Sequence, residues 1–286
     1  MQNTHQRYPS EGDPVVVLAA DEQFAMPLAT TVRSALDNLS AMCTLRLFII
    51  DGGISPATRA KVEQSWPAGR YSVEWVPFDA AVLADVPLSG HINRMTYARI
   101  VLPRLLPAEV ERAIYLDADL IVLGDLSRLW QEPLGGAWCL AVEDCAAPVM
   151  DATAIPELDS CRRHLGSSMP VANYRELGFD TTDPYLNGGV LLIDLAAWRR
   201  EDIASRMLDC LGRYREHVRW WDQFALNVVL HGRWRALDHR WNQGANMFAY
   251  PHWSESPYDE QAFELLCSDP FVVHFTTRLR PLIAEA

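Results

Sequence analysis

The stretch Ala113-Ile114-Tyr115-Leu116-Asp117-Ala118-Asp119-Leu120-Ile121-Val122-Leu123 sets two aspartates, one residue apart, inside an otherwise apolar run. Bounded by Pro107 and Gly124, it reads as a strand buried on both faces. An unpaired carboxylate in such a setting costs several kcal/mol, so the two need a partner. Residues i and i+2 of a strand share a face, which points Asp117 and Asp119 the same way. No Lys or Arg lies in the run, so a divalent cation is the simplest neutraliser. The pair would sit where the strand ends and the chain opens to solvent. Two oxygen ligands suit Mg²⁺ or Mn²⁺, which are often shared with substrate phosphates. The alternative is a strand end whose aspartates cap the following turn.

Outward from this run the chain alternates strands and helices. Residues 14–21 read as a first buried strand ending in Asp21, followed by helical spacing over residues 24–39. Residues 44–51 give a second strand ending in Asp51 and closed by Gly52-Gly53. Ser55-Pro56 then starts a helix, with serine as cap and proline at the first helical position. Residues 72–76 form a third strand, and residues 95–106 are helical but interrupted by Pro103. This βαβ series predicts an α/β fold, a Rossmann-like and mostly parallel sheet flanked by helices. Ligands of such sheets bind beyond the carboxyl ends of the strands, where Asp21, Asp51, Asp117 and Asp119 all fall.

The second half is less regular. Residues 138–142 read as a strand ending near Glu143-Asp144, and residues 151–183 as helix and loop over the site. Residues 185–194 form a loop-to-strand element whose Gly188-Gly189 pair permits close backbone approach. Residues 196–214 are helical, and a late strand over residues 271–275 carries His274. The polar residues 1–13 are expected to be a flexible leader, and residues 14–286 a single domain.

Composition narrows the function. The 286 residues carry a formal net charge of −12, which argues against nonspecific nucleic-acid binding. The 10 tryptophans suit sugar-binding surfaces, although core packing accounts for them equally well. Six cysteines show no CxxC spacing, so zinc-ribbon and thioredoxin readings lack support and free thiols are expected. There is no apolar leader and no run long enough for a membrane span, so the expectation is cytoplasmic, with peripheral membrane contact left open. Neither GxGxxG, GxxxxGK[ST] nor GxSxG occurs, which disfavours dinucleotide enzymes, P-loop NTPases and the usual hydrolases.

At this point the chain resembles glycosyltransferase family 8, retaining nucleotide-sugar transferases that include glycogenins and bacterial lipopolysaccharide galactosyl- and glucosyltransferases. The likeness runs from about Val15 to Pro281 in ordered blocks. They are Leu18-Ala19-Ala20-Asp21, Thr96-Tyr97-Ala98-Arg99, Tyr115-Leu116-Asp117-Ala118-Asp119, residues 185–194, Asp222-Gln223, Arg240-Trp241-Asn242 and His274-Phe275-Thr276-Thr277. The resemblance implies a GT-A fold and Mn²⁺- or Mg²⁺-dependent hexosyl transfer from UDP-glucose or UDP-galactose. The acceptor would be a glycan, lipid-linked or small-molecule hydroxyl. Asp117, Asp119 and His274 would hold the metal. Ala19, Ala20 and Asp21 would hold uracil and ribose, with Arg99, Ala118, Thr277 and Arg280 also on the donor side. Asp144, Asn187, Asp222 and Gln223 would surround the transferred sugar.

Four positions depart from the family pattern. Arg280 stands for a lysine that contacts the diphosphate, keeping charge but altering reach. Leu282 stands for a tryptophan, and Trp220-Trp221 occupy positions where polar residues are common. The competing readings are a catalytically degenerate GT-A protein serving as carbohydrate-binding or scaffold module, and a same-fold nucleotidyltransferase or UDP-sugar hydrolase.

Overall fold

The structure is a computed structural model that describes residues 12–88 and 94–276. In chain order the strands and helices begin with β1 (Val15–Ala20), α1 (Ala25–Asp37), β2 (Leu45–Asp51), α2 (Pro56–Gln64) and β3 (Tyr71–Pro77). Then come α3 (Leu102–Leu105), β4 (Arg112–Leu116), β5 (Leu120–Val122), α4 (Leu126–Gln131) and β6 (Cys139–Glu143). The remainder are β7 (Leu186–Asp194), α5 (Leu195–Arg200), α6 (Ile203–Arg213), α7 (Trp221–Val229), β8 (Trp234–Ala236), β9 (Gln243–Gly244), α8 (Glu260–Ser268) and β10 (Val272–His274). Residues 1–11 of the expected leader lie outside the described residues.

Seven strands make the main sheet in the order β3-β2-β1-β4-β7-β6-β8. Four of its six pairings are parallel, and both antiparallel ones involve β7. The sheet is therefore mostly parallel, as the βαβ alternation predicts. Its strands are apolar on both faces because both faces are covered. Val16, Leu18, Ile114 and Leu116 join the layer under α1, while Val17, Ala113 and Tyr115 join the layer with α7 and the 3-10 turns of Arg94–Val101. Ser55 caps α2 by accepting from the Thr58 amide, with Pro56 opening the helix.

The run at residues 113–123 is not one strand. It splits into β4 in the main sheet and β5 in a separate three-stranded sheet ordered β5-β10-β9. The Asp117 amide still donates to the Gly189 carbonyl at 2.8 Å, after which the chain turns out of the main sheet. The turn spares both carboxylates from burial in the middle of a sheet. Helix α1 holds it from behind. The Thr31 hydroxyl lies 2.8 Å from both the Ala118 and Leu120 carbonyls and accepts from the Leu120 amide at 3.1 Å. Ser34 accepts from the Val122 amide, and Asn38 donates to its carbonyl. Positions 31, 34 and 38 share one helix face, so α1 stands in for a missing strand along one edge of β5.

Two helical expectations are also refined. Residues 94–101 are 3-10 rather than α, and the one-turn α3 restarts at Leu102 because Pro103 fits only a first turn. Residues 196–214 break into α5 and α6 at Asp202, whose φ is +46°. The stretch 151–183 is loop with short 3-10 turns. No helix among the described residues is long and apolar enough to cross a membrane.

Candidate active site

The site is a cavity of about 530 Å³ at the carboxyl ends of β1 and β4, beside the start of β7 and of α7. Five aspartates line it (Asp21, Asp117, Asp119, Asp144 and Asp222), together with one arginine, Arg99, and His274. Ala19, Ala20, Ala118, Asn187 and Gln223 complete the predicted set among the described residues. Thr277 and Arg280 lie outside the described residues. Asp51 does not reach the cavity: its carboxylate accepts from the Gly53 and Ile54 amides and pairs with Arg59. From residues 151–183 only Gly166 lines the wall.

Asp117, Asp119 and His274 converge across the junction of the two sheets. One ligand atom from each lies within 4.8 Å of the others. His274 Nε2 is 3.4 Å from Asp119 and 3.7 Å from Asp117. β10 pairs antiparallel with β5, opposing His274 to Leu120, so the register itself delivers the imidazole to the aspartate turn. The Gly188-Gly189 pair makes the room. A Cβ on Gly189 would overlap the His274 ring, and one on Gly188 would sit 2.7 Å from Arg99 Nη1. Two carboxylates and an imidazole converge here with Arg99 balancing one of the acids, a set of oxygen and nitrogen atoms that fits a divalent cation.

Arg99 is buried and carries the positive charge of this cavity wall. It meets Asp117 at 3.0 Å and Asp222 at 2.6 Å, and donates to the Gly188 carbonyl. Its guanidinium lies over the Tyr115 ring, 4.8 Å from the centroid. Burial alone would lower its pKa, but Asp117 and Asp222 outweigh burial and raise it. Asp222, fully buried, is pushed up to about 6 by burial, with Arg99 opposing the rise. Burial also acts on Asp119 and His274, yet their mutual attraction wins, lowering the acid and raising the imidazole.

Beside these groups runs a chain of side-chain hydrogen bonds. Asp144 Oδ2 accepts from Asn187 Nδ2 at 2.9 Å and from Gln223 Nε2 at 2.8 Å. Gln223 Oε1 accepts from the Gly188 amide at 3.1 Å, and Asn187 Oδ1 from the Gly189 amide at 2.9 Å. Asn227 on α7 holds the Leu186 amide and carbonyl, tying the helix to the start of β7. Three of the four predicted sugar-side residues, Asp144, Asn187 and Gln223, therefore meet in one network, while Asp222 lines the same cavity paired with Arg99.

Three features lay outside sequence reasoning. Thr31 is 87 residues from the turn it holds, and no local pattern marks it. Asn242 touches both His274 and Asn187, at 2.9 Å each. Trp221 has φ +44°, a conformation rare for a bulky residue, immediately before Asp222. Thr31 had no sequence signal; Asn242 lay in the Arg240-Trp241-Asn242 block and Trp221 in the unexpected tryptophan pair before Asp222-Gln223, but neither signal indicated these contacts.

The family described as Glycosyl transferase family 8 matches residues 15–281. General stress protein A of Bacillus subtilis (strain 168) is 26% identical over 269 residues, covering 93% of this chain and 86% of that protein. Glycosyltransferase GlyF of Streptococcus pneumoniae serotype 4 is 25% identical over 93% of this chain, which spans 56% of GlyF. The crystal structure of galactosyltransferase LgtC with donor and acceptor sugar analogs superposes with TM-score 0.76 at 25% identity, covering 95% of this chain and 90% of LgtC. The fold is that of LgtC, a GT-A fold, and the chain is a glycosyltransferase. From its match over almost its whole length, the chain belongs to glycosyltransferase family 8.

Proposed function

We propose that this protein moves a hexose, glucose or galactose, from its UDP-sugar to an acceptor hydroxyl, with a divalent cation and with retention of anomeric configuration. The observation that carries this reading is the convergence of Asp117, Asp119 and His274 in one cavity with the adjoining Asp144, Asn187 and Gln223 network. The first group would bind the diphosphate and the adjoining network the sugar. Asp117, Asp119 and His274 would hold the cation, Mn²⁺ in preference to Mg²⁺, which offsets the charge that develops on the departing diphosphate.

The remaining roles fall to the chain's own side chains. Ala19, Ala20 and Asp21 follow β1 into the cavity and would hold uracil and ribose. Asp21 already accepts from the Gln23 and Phe24 amides, which fixes its orientation. Arg99 neutralises Asp117 and Asp222 and would stand near the diphosphate, with Ala118 beside it. Asp222 and Asn187 would bind sugar hydroxyls, and Asp144 would orient the two carboxamides. Gln223 Oε1 spends one lone pair on the Gly188 amide, leaving the other for the anomeric centre. The acceptor hydroxyl would attack from the leaving-group side, and the departing phosphate oxygen would take its proton. Thr277 and Arg280 remain assigned to the donor side by the family pattern.

The acceptor would be a glycan, lipid-linked or small-molecule hydroxyl, met by Trp220 and Trp221 at the cavity wall. Both indoles line the cavity, and such rings offer apolar faces to sugars. Calorimetric titration of UDP, UDP-glucose and UDP-galactose, each with Mn²⁺ and with EDTA, tests the donor side. Binding that requires Mn²⁺, followed by hexose release onto an added sugar acceptor, is expected. No nucleotide binding under either condition would favour a scaffold protein instead, and free hexose without acceptor product would favour a hydrolase.

A further inference from the structure

The polar chain across the site has a direction, and that direction reaches the metal side. Asp144 is a carboxylate and can only accept, so Asn187 and Gln223 must each turn an NH₂ group toward it. The Asn187 carbonyl oxygen then faces the other way. The Gly189 amide confirms this independently, because a backbone N–H can only donate to Asn187 Oδ1. Asn242 approaches the same oxygen at 2.9 Å and must offer its own NH₂ group. Its carbonyl oxygen is left facing His274 Nδ1, also at 2.9 Å, and accepts a proton from it. With Nδ1 carrying hydrogen, His274 Nε2 is the atom presented to Asp117 and Asp119. Asn242 is 4% exposed and His274 5%, so water does not compete for these bonds.

We propose that Asn242 is a positioning residue that fixes the ring orientation and tautomer of His274 and links the metal ligands to the sugar-binding carboxamides. Backbone register supports it. Asn242 immediately precedes β9, whose Gly244 is paired with His274, so the two side chains are delivered by neighbouring strands. A hydrogen bond from the far nitrogen of a ligating imidazole sets its orientation, and losing one typically costs about 10–100-fold in metal affinity. Asn242 adds a second contact on its other side. Through Asn187 it shares one network with Asp144 and Gln223, so disturbance at either end is felt at the other. This inference rests on the metal reading proposed above.

The test is Mn²⁺ affinity measured without substrate, by paramagnetic resonance of free Mn²⁺, on the full chain and three variants. Asn242→Leu and Asn242→Ala remove the acceptor for Nδ1 and are expected to weaken Mn²⁺ binding about 10–100-fold. Asn242→Asp keeps that acceptor but cannot donate to Asn187. It is expected to hold Mn²⁺ within about threefold of the wild type, while kcat falls because Asn187 loses its partner. A purely structural role predicts another order, in which the buried extra carboxylate is the most damaging and all three variants lose Mn²⁺ affinity in step with thermal stability. That order, or wild-type affinity in Asn242→Leu and Asn242→Ala, overturns the inference. Failure of the wild type itself to bind Mn²⁺ would instead overturn the metal reading.

Discussion

Removing the Asp119 carboxylate takes away one of three converging ligand atoms. Asp119→Ala is therefore expected to abolish Mn²⁺-dependent UDP binding in calorimetry and to abolish transfer, and unchanged turnover would defeat the assignment. Arg99 poses a different question, because it holds two acids at once. Arg99→Leu leaves buried Asp222 uncompensated and should cost about 3–5 kcal/mol in denaturant unfolding. The loss has a pH dependence whose sign follows from Asp222. Its folded pKa is already pushed up, to about 6, by burial, and without the guanidinium it rises further. A carboxyl raised on folding favours the fold below its unfolded pKa and loses that benefit as pH rises through the folded value. The Arg99→Leu deficit should accordingly grow as pH rises above about 6. A deficit that shrinks over that interval would mean Asp222 is not the group left exposed to the change.

Among elements, the decisive one is the break between β4 and β5. Thr31 holds it with three short contacts from α1. Thr31→Val keeps the shape but strands the Leu120 amide, so a loss of about 1–3 kcal/mol is expected by chemical denaturation, with weaker Mn²⁺ binding. Wild-type stability would show that water replaces the hydroxyl. This break also marks how far sequence reading reaches. The apolar run, the strand-end aspartates, the Ser55-Pro56 helix start and the parallel order around β1 were all legible, because each rests on local periodicity or capping. The division of the run between two sheets was not legible, since it depends on β10, which lies about 150 residues further along. The 3-10 character of residues 94–101 and the αL residue at Asp202 escaped for the same reason: tertiary packing overrides propensity. In the site, every aspartate assigned by the family pattern reaches the cavity and Asp51 at the end of β2 does not, while Thr31 carries no sequence signature and the block containing Asn242 does not reveal its contacts. Their partners are distant in the chain, so only the folded molecule reveals them.

For the molecule as a whole, a cation bound at the junction would tie the main sheet, through β4, to the small sheet of β5, β9 and β10. A ligand that binds only the folded state stabilises it by mass action, by about 2.7 kcal/mol at one hundred times its dissociation constant. Mn²⁺ should raise the melting temperature of the wild type and leave that of Asp119→Ala unchanged; an equal rise in both would locate the binding elsewhere. The lining of the cavity carries a kinetic consequence too. Five aspartates and one arginine give it a strongly negative field among the described residues. A nucleoside diphosphate carries negative charge of its own and is repelled from such a field until the field is inverted. On the proposed reading the order of arrival would be set before any chemistry begins: the cation would enter first, or escort the nucleotide in as a complex. Reciprocal rate plots against donor at different Mn²⁺ concentrations should then meet at one maximal rate, because a saturating nucleotide traps whatever cation has already arrived.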